Sequence, residues 1–334
     1  MPGPASRFHP VTTHVPPPKT PAAVQGTPAS VQAARHLDKP LFGLLLIVCS
    51  TAFLASSDTM AKYLARSGMP PVEIAWIRFS VFVLIMLPMV LIPSGGKALR
   101  SSRPLLQVFR GLGLLGSSIF FIIGLSFLPI AEATATGFIS PLFVTGLSVI
   151  FLGEKVGLRR WSATIVGLIG VLIIVRPGTA AFQPAAIFPI ISALGWASAL
   201  VLTRKMSGAD RPITTMAYSA IVGFLVLSVF VPFYWTSPTP TQLAIGVAIG
   251  VSSTVGHWIV VLAFRYADAS VLAPFSYVQL MWVTLLGFIV FSEIPDLWTF
   301  VGAAIIIASG VYTAHRERVR RAKIAVPAEP YPTS

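Results

Sequence analysis

The decisive stretch is Ala133-Thr134-Ala135-Thr136-Gly137-Phe138-Ile139-Ser140-Pro141, which runs on through Phe151-Leu152-Gly153-Glu154 to Leu158. It has a counterpart in Ala269-Ser270-Val271-Leu272-Ala273-Pro274, which runs on through Val290-Phe291-Ser292-Glu293 to Leu297. In each copy a glutamate closes a long apolar run and a leucine follows four residues later. The next run is rich in small residues, with Gly167 and Gly170 in one copy and Gly302 and Gly310 in the other. Upstream, Ala131-Glu132-Ala133-Thr134 resembles Ala267-Asp268-Ala269-Ser270, three residues out of register with the glutamates.

Outward from this repeat, ten apolar stretches account for most of the chain: about 41–60, 72–93, 104–128, 133–153, 161–175, 184–203, 213–233, 241–264, 269–291 and 297–314. Most reach the ~20 residues that carry a helix across ~30 Å of hydrocarbon. The runs are continuous rather than alternating, which disfavours a strand barrel. Short turn-rich loops separate them, such as Ser94-Gly95-Gly96, Arg176-Pro177-Gly178 and Ser237-Pro238-Thr239-Pro240.

The composition agrees. Of 334 residues, 55% are apolar and 10% charged, against about 25% charged in a soluble domain. Mean hydropathy is +0.81. A cytosolic enzyme, a disordered chain and a disulfide scaffold are excluded, and an integral membrane protein is indicated. Cys49 stands alone, so it forms no internal disulfide or cysteine cluster, and it reads as a small buried thiol.

The net charge of +13 is a topology signal. With the N-terminus inside, nineteen of the 24 Lys and Arg fall in inside segments. Lys62, Arg66 and Arg176 fall outside, and Arg78 and Arg110 lie within spans. That asymmetry places both termini in the cytoplasm and requires an even number of spans. The sequence therefore predicts an all-α integral membrane fold of ten transmembrane helices. Its two five-helix repeats, 41–178 and 184–314, are inverted because five is odd. Residues 1–40, with nine prolines, read as a disordered cytoplasmic tail, and 315–334 as a basic cytoplasmic tail that meets anionic lipid. Nucleic acid is not an expected partner. Inverted repeats are shared by many secondary transporters, which hold substrate near the midplane between the halves.

On these residues the chain resembles the drug/metabolite transporter superfamily, in particular proteins with two EamA domains, over about residues 40–315. The resemblance rests on Leu128–Thr134, Ser140-Pro141-Leu142-Phe143, Leu152-Gly153-Glu154-Lys155 and Arg176-Pro177-Gly178, with Ser57-Asp58, Lys62 and Arg78 in addition. It implies ten helices around a central cavity, alternating access, and a multi-pass protein of the bacterial inner membrane. It also points to the branch of riboflavin importers and S-adenosylmethionine carriers. Riboflavin uptake is the leading expectation. Export of amino acids or other metabolites and S-adenosylmethionine transport are the alternatives. A polytopic membrane enzyme is the rival of another class, but the sequence has no Walker motif, no HExxH and no Ser/His constellation. No cofactor or metal is expected. The partners are a small-molecule substrate and membrane lipids, and the chain acts as a monomer or homodimer.

The candidate substrate-binding residues are Arg78, Arg110, Ser140, Trp196, His257, Tyr277, Gln279 and Trp282. An arginine at bilayer depth is costly unless paired or in water, so Arg78 and Arg110 either attract an anionic or electron-rich group or snorkel to the near interface. His257 either relays protons or packs between helices. Trp196, Tyr277 and Trp282 are deep enough to stack on a flat ligand, with core or lipid packing as the alternative. Gln279 supplies a hydrogen bond to such a ligand. The candidate gating or coupling residues are Asp58, Lys62, Glu132, Pro141, Asp268 and Pro274. Asp58 and Lys62 are four apart, share a helix face and are expected to pair, near the outer end of the first span. Pro141 and Pro274 each remove a helix hydrogen bond and permit a kink, with Ser140 and Thr136 available to freed backbone groups.

Overall fold

Proline opens five of the long helices in the computed structural model, because the first helical position needs no N–H and favours the fixed φ of the ring. The helices are Pro40–Arg66 (α1), Pro71–Ser94 (α2), Pro104–Phe127 (α3), Ile130–Gly137 (α4), Ser140–Leu152 (α5), Leu158–Val175 (α6), Ile187–Lys205 (α7), Pro212–Phe230 (α8), Pro240–Ala263 (α9), Val278–Phe291 (α10) and Leu297–Ala325 (α11). Short 3-10 turns at Pro184–Ala186, Val231–Phe233 and Ala273–Tyr277 lead into or out of them. The structure describes Gly3 and residues 40–94, 99–153, 157–206, 209–263, 266 and 272–325. Glu154, Asp268 and nearly all of the N-terminal tail lie outside the described residues, as does the side chain of Pro274.

Among the described residues, seven helical segments are long and apolar enough to cross a membrane, counting α4 and α5 together as Ile130–Leu152, and three shorter apolar helices accompany them at Trp161–Val175, Phe275–Phe291 and Leu297–Tyr312. Between 28% and 44% of each long span is buried. The remainder is largely apolar too, as at Leu84, Ile92, Ile150 and Leu225, which suits helices solvated by lipid. Three expectations need correction. The first helix does not stop at about residue 60 but continues to Arg66, because Ala61, Tyr63, Leu64 and Ala65 sustain it. The fourth run is two helices: α4 ends at Gly137 and α5 starts at Ser140, with Pro141 in its first turn. Cys49 is exposed on α1 rather than buried.

The packing follows an exchange rule. The strongest pairs are α3 with α7, α1 with α9, α6 with α11 and α2 with α8. Swapping α1 with α7, α2 with α8, α3 with α9, α5 with α10 and α6 with α11 turns this set into itself. It also turns α5·α7 into α1·α10, and α2·α9 into α3·α8, all of which are present. Glycines allow the closest approaches. A Cβ on Gly113 would lie 3.0 Å from the Gly195 carbonyl oxygen, and one on Gly195 would lie 2.7 Å from that of Gly113.

Two apolar clusters result. One joins Leu125, Ile130, Ala135 and Ile174 to Ala193, Val283 and Ile306. The other joins Leu64, Ile74, Phe79 and Ile122 to Met216, Ala220 and Ile249. Each draws on both halves of the chain. Gly153 (φ 65°) ends α5, and Ser292 (φ 55°) ends α10 at the matching place. Both are left-handed, so the two repeat landmarks share a backbone turn as well as a sequence pattern.

Candidate substrate cavity

A cavity of about 220 Å³ lies between the helices. The first half contributes Leu54 and Asp58 from α1, Arg78, Phe79 and Phe82 from α2, Ser117, Ser118 and Phe121 from α3, and Thr134, Phe138 and Ser140 around the α4–α5 break. The second half contributes Ser192 and Trp196 from α7, Ser253, Thr254 and His257 from α9, and Gln279 from α10. The break matters here: it interrupts the helix where Phe138 and Ser140 meet the cavity.

The charges in this cavity are opposite in sign. Asp58 is 8% exposed, accepts a hydrogen bond from Gln279 Nε2 at 3.2 Å, and interacts electrostatically with Arg78. It sits eight residues before the end of α1, about 12 Å along the axis, and so lies deeper than the sequence suggested. His257 Nδ1 lies 2.7 Å from the Ser253 carbonyl oxygen. Its ring meets Trp196 in a T-shaped contact, with centroids 6.2 Å apart. Ser192 donates to the Ser117 carbonyl at 2.7 Å. The hydroxyls of Ser118 and Thr134 are buried without a hydrogen-bond partner among the described residues. Buried polar atoms are rarely left so, and a ligand in the cavity would satisfy them.

Of the candidate binding residues, the fold brings Arg78, Ser140, Trp196, His257 and Gln279 together. It keeps three others out of the lining. Arg110 is a staple between helices: it donates to Thr203 Oγ1 at 2.7 Å, to the Thr215 carbonyl at 3.2 Å and to the Ser219 hydroxyl, joining α3 to α7 and α8. Tyr277 packs edge-on against Phe138, centroids 5.0 Å apart. Trp282 packs against the apolar cluster around Ile130 and Val283.

Away from the cavity, two sets of polar ties join the helices. At the end where α1 finishes, Lys62 does not pair with Asp58. Its Nζ lies 2.8 Å from each Glu293 oxygen and 2.6 Å from the Leu128 carbonyl oxygen. Arg66 meets the same glutamate at 2.6 Å, and the Ile130 N–H donates to it at 3.1 Å. Arg176 and Asp296 pair at 2.6 Å, and Glu132 interacts electrostatically with Asp296, Arg176 and Lys62. At the other end Asp210, in the α7–α8 connection, accepts from the Ser102 N–H at 2.9 Å and from Gln107 Nε2 at 2.7 Å. Partial burial works against the Asp210 charge, but hydrogen bonds from Ser101, Gln107 and Ser102 outweigh it and pull the group down to about 2.

Sequence reasoning read Glu293 only as a repeat landmark and missed its role as an anchor. It also missed Ser118, Thr134, Phe79 and Phe82. Hydroxyls inside apolar runs were the available signal, but nothing local says which face of a helix meets a cavity.

The fold and the cavity define a multi-pass helical membrane protein built around a chamber that holds Asp58 and Arg78 among aromatic side chains. Residues 41–176 and 183–313 each match the EamA-like transporter family. The chain belongs to that family. It is similar to the S-adenosylmethionine uptake transporter of Rickettsia bellii, at 32% identity over 280 residues, covering 84% of this chain and 94% of the relative. It is also similar to the riboflavin transporter of Vibrio cholerae, at 30% identity over 290 residues, covering 83% of this chain and 94% of the relative. One solved crystal structure shares the fold at a TM-score of 0.58 and 18% identity, covering 84% of this chain and 98% of the other.

Proposed function

We propose that this chain is a secondary transporter that takes up S-adenosylmethionine by alternating access, with riboflavin as the second substrate to test. The observation that carries the reading is the pair Asp58 and Arg78, a buried carboxylate and a guanidinium facing one aromatic-lined cavity. S-adenosylmethionine bears a cationic sulfonium and amine, a carboxylate and a flat base. Its carboxylate and one of its cationic groups would exchange with the internal pair, so that Asp58 and Arg78 each keep an opposite charge when they part. Its base matches the Trp196 face. Riboflavin offers a larger ring but no charge, which reverses the order drawn from sequence.

In this reading the repeats are two inverted sets of five crossings with both termini cytoplasmic. The exchange rule in the packing and the lysine and arginine asymmetry support it. The ties at Glu293 and Asp210 are the two seals, opened in turn. The cavity is smaller than the ~300–1,000 Å³ of a typical ligand pocket, so the lining must move outward to seat either compound. A single chain lines the whole cavity, so a monomer suffices.

The test is uptake of labelled S-adenosylmethionine and of labelled riboflavin into proteoliposomes, with counterflow. Saturable flux of the first that unlabelled compound drives in reverse supports the reading. Saturable flux of riboflavin alone moves the assignment to flavin. No flux of either, or covalent turnover of the added compound, overturns the transporter reading.

A further inference from the structure

One directional bond holds the His257 ring in the cavity. A carbonyl oxygen only accepts, so the proton shared between Nδ1 and the Ser253 oxygen, 2.7 Å apart, is carried by Nδ1. In the neutral ring, Nε2 is then bare and acts as an acceptor. Among the described residues Nε2 has no hydrogen-bond partner, although the ring lines the cavity. The ring is also fixed sideways by its T-shaped contact with Trp196. An oriented acceptor beside an indole face suits a flat ring that presents an N–H at its edge.

We propose that His257 is a specificity-determining residue whose Nε2 accepts a hydrogen bond from an edge N–H of a heteroaromatic ligand lying against Trp196. The proposal rests on the transport reading above but not on which of the two compounds is carried. Adenine offers such an N–H in its exocyclic amine, and the flavin ring offers one in its imide. Where a site is built to hydrogen-bond a group, an analogue lacking that group is rejected strongly, because the site atom is left unpaired.

The experiment uses the full chain in proteoliposomes and two competitor pairs. The first is S-adenosylmethionine against its analogue with the exocyclic amine replaced by hydrogen, which leaves the ring edge with no N–H. The second is riboflavin against riboflavin methylated on the imide nitrogen. In the wild type, loss of the N–H weakens competition by at least ~10-fold for the compound that is carried. His257→Phe keeps a flat ring against Trp196 and brings the paired compounds to within about two-fold, while His257→Gln restores part of the difference. A wild type that prefers the member of a pair lacking the N–H overturns the proposal, as does a His257→Phe protein that keeps full discrimination. If His257→Phe fails to fold, wild-type indifference within both pairs still overturns it. Transport of riboflavin without S-adenosylmethionine defeats the substrate assignment alone, because the flavin pair still tests His257. If the protein binds none of the four compounds, both fall.

Discussion

Lys62 and Glu293 are 231 residues apart in sequence, yet the lysine ammonium sits 2.8 Å from both glutamate oxygens, and its side chain is 1% exposed. The pair ties α1 to the end of α10. The two Phe291 contacts, from Lys62 Nζ at 5.3 Å and from the Arg66 guanidinium at 5.0 Å, add cation–π attraction on the same side.

Glu293→Leu strands a buried ammonium that retains only the Leu128 carbonyl. We expect it to lose about 3–5 kcal/mol of stability. The double change Lys62→Met with Glu293→Leu should recover most of that, since neither charge is then left alone. Thermal unfolding in detergent, read as a double-mutant cycle, gives the coupling. Additive losses in the cycle would rule the pair out as a unit.

Asp58→Asn removes the only carboxylate that lines the cavity among the described residues while keeping a partner for Gln279. S-adenosylmethionine uptake should fall by at least ~10-fold, the loss of one charge-assisted contact. Riboflavin flux should change much less. Equal loss for both compounds would show that Asp58 shapes the cavity rather than binding a cation.

Arg110→Ala cuts three hydrogen bonds between α3, α7 and α8. The expected result is a lower unfolding temperature, with a loss of about 1.5–3 kcal/mol per strong charged bond as an upper scale, and an unchanged ligand Kd. A weakened Kd at unchanged stability would return Arg110 to the binding site.

Asp210 gives the fold a pH window. Its pKa is held down at about 2, below the ~3.9 of a free aspartate. The tie to Ser101, Ser102 and Gln107 is therefore fully present above about pH 4 and is lost as pH falls toward 2. Protease nicking at the loop that follows α7 should rise over that interval. Asp210→Asn should remove the dependence.

Ser292 occupies the left-handed region at φ 55°, where its counterpart in the first half is Gly153 at φ 65°. A side chain there costs roughly 1 kcal/mol. Ser292→Gly should raise the unfolding temperature by a degree or two, if the chain gains little unfolded-state freedom in exchange. A drop would mean that the Ser292 hydroxyl does something at this turn that the glycine cannot.

The apolar runs and their repetition were readable because hydropathy is a local property, summed over ~20 neighbours. The break at residues 138–139 was half readable, since Pro141 announces a kink but not that α4 stops at Gly137, two residues short of the start of α5. The Lys62 partner was not readable. Spacing alone favours Asp58, four residues back on the same face, and only the packing of α1 against α10 brings Glu293 nearer. Arg78 and Arg110 show the same limit. Each stands about six residues inside its run, but helix rotation sends one into the cavity and the other into a joint.

The two apolar clusters have a consequence for how the protein is made. Neither half contains a complete interior, since Leu125 and Ile130 wait for Val283 and Ile306, and Ile74 and Phe79 wait for Ala220 and Ile249. The first five runs leave the ribosome with these faces uncovered. We expect them to stay loosely assembled in the bilayer until the second five arrive. Two fragments cut within residues 177–182 and made together should therefore find each other and restore transport, whereas either one made alone should be degraded.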